Sequence, residues 1–355
     1  MTSVAPEDVT RTNRFVPATP NESVRRVARR AVSGRLEMVR LLLPCAARRH
    51  ADPEDVHQLR VWARRSVAAI DMFRPVLAPK QAKRLRRRLQ SIRRAAAMAR
   101  DLDVLDLRLS LHTGDPSAQT VLGLVRQRRQ RARRALKRTL ARNDKGKRLA
   151  RERARIRKDL KRATRHQEDV PFGGWAVERI LPLAAELVDS VPHPDDPDDG
   201  AALHEYRLLV KRVRYALEPL AGAFSPGLRE RVYAELKSLQ DRLGAINDHV
   251  VAADLFRVWA VHTHDPAEIA ALRRLADLED AERRVTTEVF RSWWTDERQE
   301  RLRRDLEAEV GRPLAADRVR REPAPDRHRA ARLRDPSPRP DRVTQPTARS
   351  VRAIR

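Results

Sequence analysis

The stretch Val56–Ser66 reads VHQLRVWARRS, and much later Leu203–Tyr215 reads LHEYRLLVKRVRY. A shift of 147 residues lays His57 on His204, Arg60 on Arg207, and Arg64-Arg65 on Lys211-Arg212. The same shift lays Arg100-Asp101 on Asn247-Asp248, so the histidine-to-aspartate spacing is 44 residues in both places. Equal spacing over two helices and their connection marks an internal repeat. The chain therefore has to fold as one arrangement built twice.

The repeated unit is helical. Only 11 glycines and 4% aromatic residues occur in the 355-residue chain, and Ala/Leu/Arg/Glu segments dominate without β-branched alternation, which favours helix over strand. Asp52-Pro53, Asp115-Pro116, Ser225-Pro226 and Asp265-Pro266 each place a capping side chain before a proline. Proline at the first helical position lacks only a donor that would go unused there. Helix starts are expected near residues 53, 116, 226 and 266, with others near 22, 80, 174 and 201. This makes an all-α chain of about eight main helices. A basic helix or helix pair runs from Arg126 to Arg165, broken or bent at Asn143–Lys147 (NDKGK).

The ladder has a geometry. At 100° per residue, His204, Arg207, Lys211 and Arg214 fall in one stripe about 80° wide, as do His57, Arg60 and Arg64. Leu59, Val61, Val67 and Ile70, with Leu208, Val213 and Leu217 in the second copy, are free to face the interior. A basic stripe beside an apolar one is ordinary for a surface helix. Its recurrence with the histidine included is not, because solvated faces are free to drift.

Charge narrows the partner. Lys+Arg number 76 against 49 Asp+Glu, a formal net charge of +27, and the excess is clustered. That points to a polyanion: nucleic acid, an anionic surface or a polymeric phosphate. Cys45 is the single cysteine, so neither a disulfide within the chain nor a cysteine metal site is available. The opening MTSVAPEDVTRTNRF has no apolar core of a signal peptide, and no run approaches a membrane span, so a cytoplasmic protein without membrane association is expected.

Composition also sets boundaries. Residues 1–20 are expected to be disordered. Helical sequence fills 21–310, with a first half over 21–190, a Pro/Asp linker over 191–200 (VPHPDDPDDG) and a second half over 201–310. From Gly311 to Arg355 the chain is rich in Arg and Pro, which reads as a disordered basic tail.

The segments HQLRVWARR, RDLDVL, HEYRLLVKRVRY and LKSLQDRLGAIND resemble the CHAD domain, the conserved histidine α-helical domain, over roughly residues 20–310. The resemblance implies two four-helix bundles related by a pseudo-twofold, and a basic groove or pore between them that binds inorganic polyphosphate. It also suggests targeting to polyphosphate granules for a stand-alone copy. Carried over position by position, the binding residues would be His57, Arg60, Arg64, Arg65, His204, Arg207, Lys211, Arg212, Arg214 and Lys237. Gln240, Asp241, Gly244, Asn247 and Asp248 also match the pattern.

The first half departs from the pattern. Ala96-Ala97 stands where the family has Leu-Gly, Gln90 matches Lys237, and Val67 matches Arg214. The second half is therefore expected to dominate, with Arg86, Arg87, Arg93 and Arg94 as candidates to compensate. Asp101 and Asp248 would repel a polyanion and are read as groups that position neighbouring arginines.

Polyphosphate carries about one charge per phosphate and no bases, so its binder needs donors along a track. Arginine forks pair with phosphate oxygens, and each charge-assisted bond is worth roughly 1.5–3 kcal/mol. The alternative is nonspecific nucleic-acid binding through the basic helix and tail. No zinc finger or glycine-rich recognition loop accompanies it, and Trp62, Trp175, Tyr206, Trp259, Trp293 and Trp294 sit mostly at core-like positions. No Gly-x-x-x-x-Gly-Lys loop and no Glu-x-Glu-x-Lys triplet occurs, so the expectation is a binding module with no catalytic residues, no cofactor and no metal site. His262-x-His264-Asp265 is read as polar loop ahead of Pro266, and His50, His112, His166, His193, His249 and His328 as loop or surface residues.

Overall fold

The computed structural model describes residues 14–48, 50–111, 114–143, 146–166, 170–192, 200–311 and 314. The described residues form ten α-helices: α1 (Val24–Ala46), α2 (Pro53–Met72), α3 (Pro79–Leu111), α4 (Pro116–Arg142), α5 (Lys147–His166), α6 (Phe172–Asp189), α7 (Gly200–Leu220), α8 (Tyr233–His262), α9 (Pro266–Trp293) and α10 (Asp296–Val310).

Local chemistry sets the starts. Asp52, Asp115 and Asp265 each accept a hydrogen bond from the backbone N–H two residues on, at 2.7–2.8 Å, with proline at the first helical position. Ser23 caps α1 and Thr295 caps α10. Ser225 accepts from Gly227 N–H at 3.1 Å, but the helix expected there is entered through a π-helical turn, Leu228–Val232, before α8 begins. The basic helix breaks where expected, between Arg142 and Lys147. Gly311 ends α10 at φ 66°, its N–H bonded to the Glu307 carbonyl, a left-handed cap that glycine adopts without strain.

The 147-residue shift carries α1 through α5 onto α6 through α10 in order. Each half thus has five helices rather than four, because the basic segment splits in two and its counterpart supplies α10. The packing repeats as well. In the first half α1 packs on α2 and α5, α2 on α3, and α3 on α4; in the second, α6 packs on α7 and α10, α7 on α8, and α8 on α9. Between halves α1 meets α6, α2 meets α7, and α4 meets α9. Equivalent elements meeting each other is the signature of an isologous, twofold-like contact.

One apolar core runs through both halves, from Val16 to Leu314. Phe73, after α2, stacks on Trp175 of α6 with ring centroids 5.2 Å apart, so aromatic packing joins the halves as aliphatic packing does. Trp62, Trp259, Trp294 and Tyr206 are buried. Among the described residues no helix is long and apolar enough to cross a membrane, and no group of three His, Cys, Asp or Glu side chains is placed to hold a metal ion.

The packed chain extends beyond the helices at both ends, further than the sequence suggested. Val16 is buried, its N–H bonded to the Glu218 carbonyl. Phe15 packs edge-on against Tyr233 at 4.9 Å. Residues 14–20 are therefore part of the fold, because an apolar Phe-Val pair there completes the core; residues 1–13 lie outside the described residues. At the other end Leu314 is 2% exposed and its N–H donates to Glu307 Oε1 at 2.8 Å. The fold thus runs past Gly311, and the rest of the expected tail lies outside the described residues, as does most of the 191–200 linker.

Candidate functional site

The helix pair α2 and α7 brings the two ladders together. Around this contact Arg60 and Arg64 of α2, Arg207 and Lys211 of α7, and Arg93 and Arg100 of α3 act on one another electrostatically. Two aspartates share the site: Asp101 accepts from Arg60 at 3.0 Å, and burial raises the Asp101 carboxyl, with Arg60 opposing and Asp248 adding to the effect. These aspartates occupy equivalent positions in the repeat. The reading of Asp101 as a positioning group matches its bond to Arg60.

The cations are crowded and short of counter-charge. Burial, then Arg64, Arg207 and Arg60, push the Lys211 ammonium down to about 6, with Asp248 opposing. Arg207 is pushed to about 10 by burial; Asp248 opposes, while Arg64 and Arg60 add to the push. Its Nε is buried without a hydrogen-bond partner. Burial also lowers His57 and Arg93; Arg100, Arg60 and Arg64 add to the effect at His57, and Arg64 and Arg60 at Arg93. Among the described residues Arg64, Arg93, Arg100, Arg207 and Lys211 hold no ion pair, unlike Arg129 and Arg133, which pair with buried Asp103, Arg84 with Glu152, and Arg303 with Glu300 and Glu307. Desolvated like charges held together without carboxylates favour an incoming anion, because it restores both hydrogen bonds and charge balance.

The remaining residues named from the sequence are placed differently. Arg65 turns away from the cluster: its Nε donates to Glu218 at 2.9 Å and its guanidinium lies over Trp62. Arg214 is buried, donating to Gln240 at 2.8 Å and to the Tyr233 hydroxyl at 2.5 Å. Arg212 pairs with Glu186 on the exposed side of α7, and Lys237 pairs with exposed Asp241 at 2.9 Å. His204 Nδ1 lies 3.1 Å from Asn247 Oδ1 and is exposed.

The candidates for compensation in the first half separate. Arg93 joins the cluster, Arg86 pairs with Asp71 at 2.9 Å, and Arg87 faces elsewhere. Arg93 and Arg100 match Gln240 and Asn247 in the repeat, so α3 supplies cations where α8 has amides. The cluster thus draws Arg60, Arg64, Arg93 and Arg100 from the first half and Arg207 and Lys211 from the second, against the expectation that the second half dominates. The seven-residue spacing of Arg86, Arg93 and Arg100 was the available sequence signal, since seven residues return to nearly the same helical face. The Ala96-Ala97 departure costs nothing visible: a Cβ at the matching Gly244 would meet no atom within 4 Å.

His249, read as a surface residue, instead lies on α8 with Nδ1 2.6 Å from Glu279, which also pairs with Arg108 of the first half at 2.8 Å. His262 Nδ1 donates to the Val258 carbonyl at 2.7 Å. His112, His193 and His328 lie outside the described residues.

Comparison with known proteins agrees with this fold. The CHAD domain family matches residues 14–257, over half of the chain. The crystal structure of the CHAD domain from the plant Ricinus communis superposes with a TM-score of 0.63 at 21% identity, covering 82% of this chain and 94% of that one. PptA from Streptomyces chartreusis superposes with a TM-score of 0.54 at 20% identity, covering 77% of this chain and 99% of that one. At such identities the likeness is one of fold. A search of curated proteins finds no match.

Proposed function

The chain belongs to the CHAD-domain family, and on that premise we propose that it binds inorganic polyphosphate at the cluster between α2 and α7. The observation that carries this reading is the meeting of the two basic ladders, where α2 packs on α7 and Arg64, Arg207 and Lys211 stand together without an ion pair among the described residues, so that burial and Arg64, Arg207 and Arg60 push the Lys211 ammonium down to about 6. A polyphosphate segment entering there meets arginine forks from both halves. It pairs with the buried Arg207 Nε and draws a proton onto Lys211. Arg60, oriented by Asp101, and His57 extend the track on the α2 side. Release of condensed counterions makes the binding strongly salt-dependent, as it does for nucleic acid.

In this reading the protein is a binding module, performs no catalysis and is carried to polyphosphate granules by its ligand. The test is a competition. Labelled long-chain polyphosphate is bound to the full chain at near-physiological salt, and duplex DNA of equal phosphate concentration is titrated in. Retention against excess DNA supports a shaped polyphosphate track. Displacement one for one by charge overturns it in favour of nonspecific nucleic-acid binding. Incubation that shortens the polyphosphate would overturn the non-catalytic part alone.

A further inference from the structure

A second basic concavity lies on the other side of α3, at the junction of α4 and α5. It has a volume of about 630 Å³ and is lined by Lys80, Lys83, Arg84, Arg87, Arg88 and Arg142. At 100° per residue Lys80, Arg84 and Arg87 share one face of α3, while Arg93 and Arg100 point more than about 120° away from it. The concavity is therefore separate from the cluster between α2 and α7.

Its charge is unbalanced. Arg84 pairs with Glu152, but among the described residues Lys80, Lys83 and Arg87 hold no ion pair. Arg88 donates to Asn143 Oδ1 at 3.2 Å, yet its Nε is buried without a partner. Burial lowers Arg88, partly offset by Glu152, and Arg148, Arg84 and Arg151 lower it further.

The repeat supplies an internal control. The 147-residue shift carries Lys80 to Gly227, Lys83 to Glu230, Arg87 to Ala234 and Arg88 to Glu235. It carries Arg151 to Arg298, and Glu235 and Arg298 pair at 3.0 Å. The same helices in the same order thus set a carboxylate, Glu235, against Arg298 in the second half, whereas the first half has Arg88 at that position and its carboxylate, Glu152, pairs with Arg84. The fold does not require the basic residues of the concavity, and their like charges repel unless an anion enters.

We propose that this concavity is a second, independent anion site, and that it takes a compact oligophosphate. The arginines and lysines recognise phosphate oxygens, and no aromatic side chain lines the wall for a base to stack on. A concave site of this volume, with a guanidinium Nε buried in its wall, suits a small multiply charged anion better than the rigid backbone of a duplex. The site does not depend on the reading of the α2–α7 cluster.

The test uses inorganic tripolyphosphate and the full chain in isothermal titration at near-physiological salt. The wild-type protein is expected to show two independent classes of binding event. Lys83→Gln with Arg87→Gln, both exposed and so harmless to the core, is expected to weaken one class at least about tenfold, the loss of one or more charge-assisted bonds. Adding Arg88→Gln should abolish that class. Arg207→Gln with Lys211→Met should remove only the other. Unchanged tripolyphosphate binding in the Lys83/Arg87 variant overturns the proposal. So does a variant that loses duplex DNA binding while keeping tripolyphosphate, which would make the concavity a nucleic-acid contact. Failure of the Arg207/Lys211 variant to change anything would count against the central site alone.

Discussion

Arg65 in the first half donates its Nε to the carboxylate of Glu218 in the second at 2.9 Å, and the Glu218 side chain is fully buried. The Tyr233 hydroxyl donates to the same carboxylate at 2.8 Å, and Arg214 lies 3.9 Å away. This contact breaks the twofold. Asp71 is the counterpart of Glu218 and pairs with Arg86, the counterpart of Tyr233, while Arg212, the counterpart of Arg65, pairs with Glu186 instead. A buried carboxylate with partners from both halves is a lock on their mutual arrangement.

Removing one partner of such a pair leaves an uncompensated buried charge, which costs roughly 3–5 kcal/mol. Glu218→Ala is expected to lower stability by about that amount in urea unfolding, since it strands Arg65 and Arg214 together. Arg65→Ala is expected to destabilise too, while polyphosphate affinity measured on the folded fraction changes little. A large affinity loss without destabilisation would place Arg65 in the binding track.

Arg207 and Lys211 behave in the opposite way. Their charges are desolvated and crowded in the free protein. Lys211→Met is expected to raise the thermal midpoint at neutral pH while weakening polyphosphate binding, a trade of stability against function. Arg207→Ala with Lys211→Ala should weaken binding by a hundredfold or more, on the order of two lost charge-assisted bonds, with helicity by circular dichroism intact. Unchanged binding by the double variant removes the site assignment.

The pH dependence has a definite sign. Burial and the neighbouring arginines push Lys211 down to about 6 in the folded protein from an ordinary 10.5. Between these values the unfolded chain carries a proton that the folded one lacks. This residue therefore costs stability progressively as pH falls from 10.5, and the cost is complete near pH 6. A polyanion favours the charged form. Affinity is expected to rise as pH falls from about 8 to about 6, with proton uptake on binding. Titration calorimetry in buffers of different ionisation enthalpy measures that uptake. Lys211→Arg should abolish most of it, because arginine is already charged.

The C-terminal boundary is testable by truncation. A chain ending at residue 315 keeps Leu314 in the core and its bond to Glu307, and is expected to melt as the full chain does. A chain ending at residue 310 loses both, together with the Gly311 cap, and is expected to melt several degrees lower; a loss of about 1–2 kcal/mol shifts a midpoint of a domain this size by that much. Equal midpoints for the two truncations would show that Leu314 adds nothing.

Much was fixed before any coordinate was known. The repeat at 147 residues, the helical class and the starts at Pro53, Pro116 and Pro266 are local or periodic properties. Capping, proline geometry and helix periodicity act within a few residues and are legible in the chain. The convergence of Arg60, Arg64, Arg207 and Lys211 was also foreshadowed, because a repeated stripe on equivalent helices meets itself across a twofold. What the sequence could not give is the partner of each basic side chain. Arg64 and Arg65 are neighbours of the same chemistry, yet 100° of helical rotation sends one to the cluster and the other to Glu218, 153 positions away. Arg88 and Glu235 hold equivalent places, and only the tertiary fold shows that Arg88 stands near Glu152, Arg148, Arg84 and Arg151 while Glu235 meets its salt-bridge partner Arg298. Helix formation is decided by near neighbours. Whether a guanidinium is neutralised, buried or left for a ligand depends on groups that only the tertiary fold brings within a few ångströms.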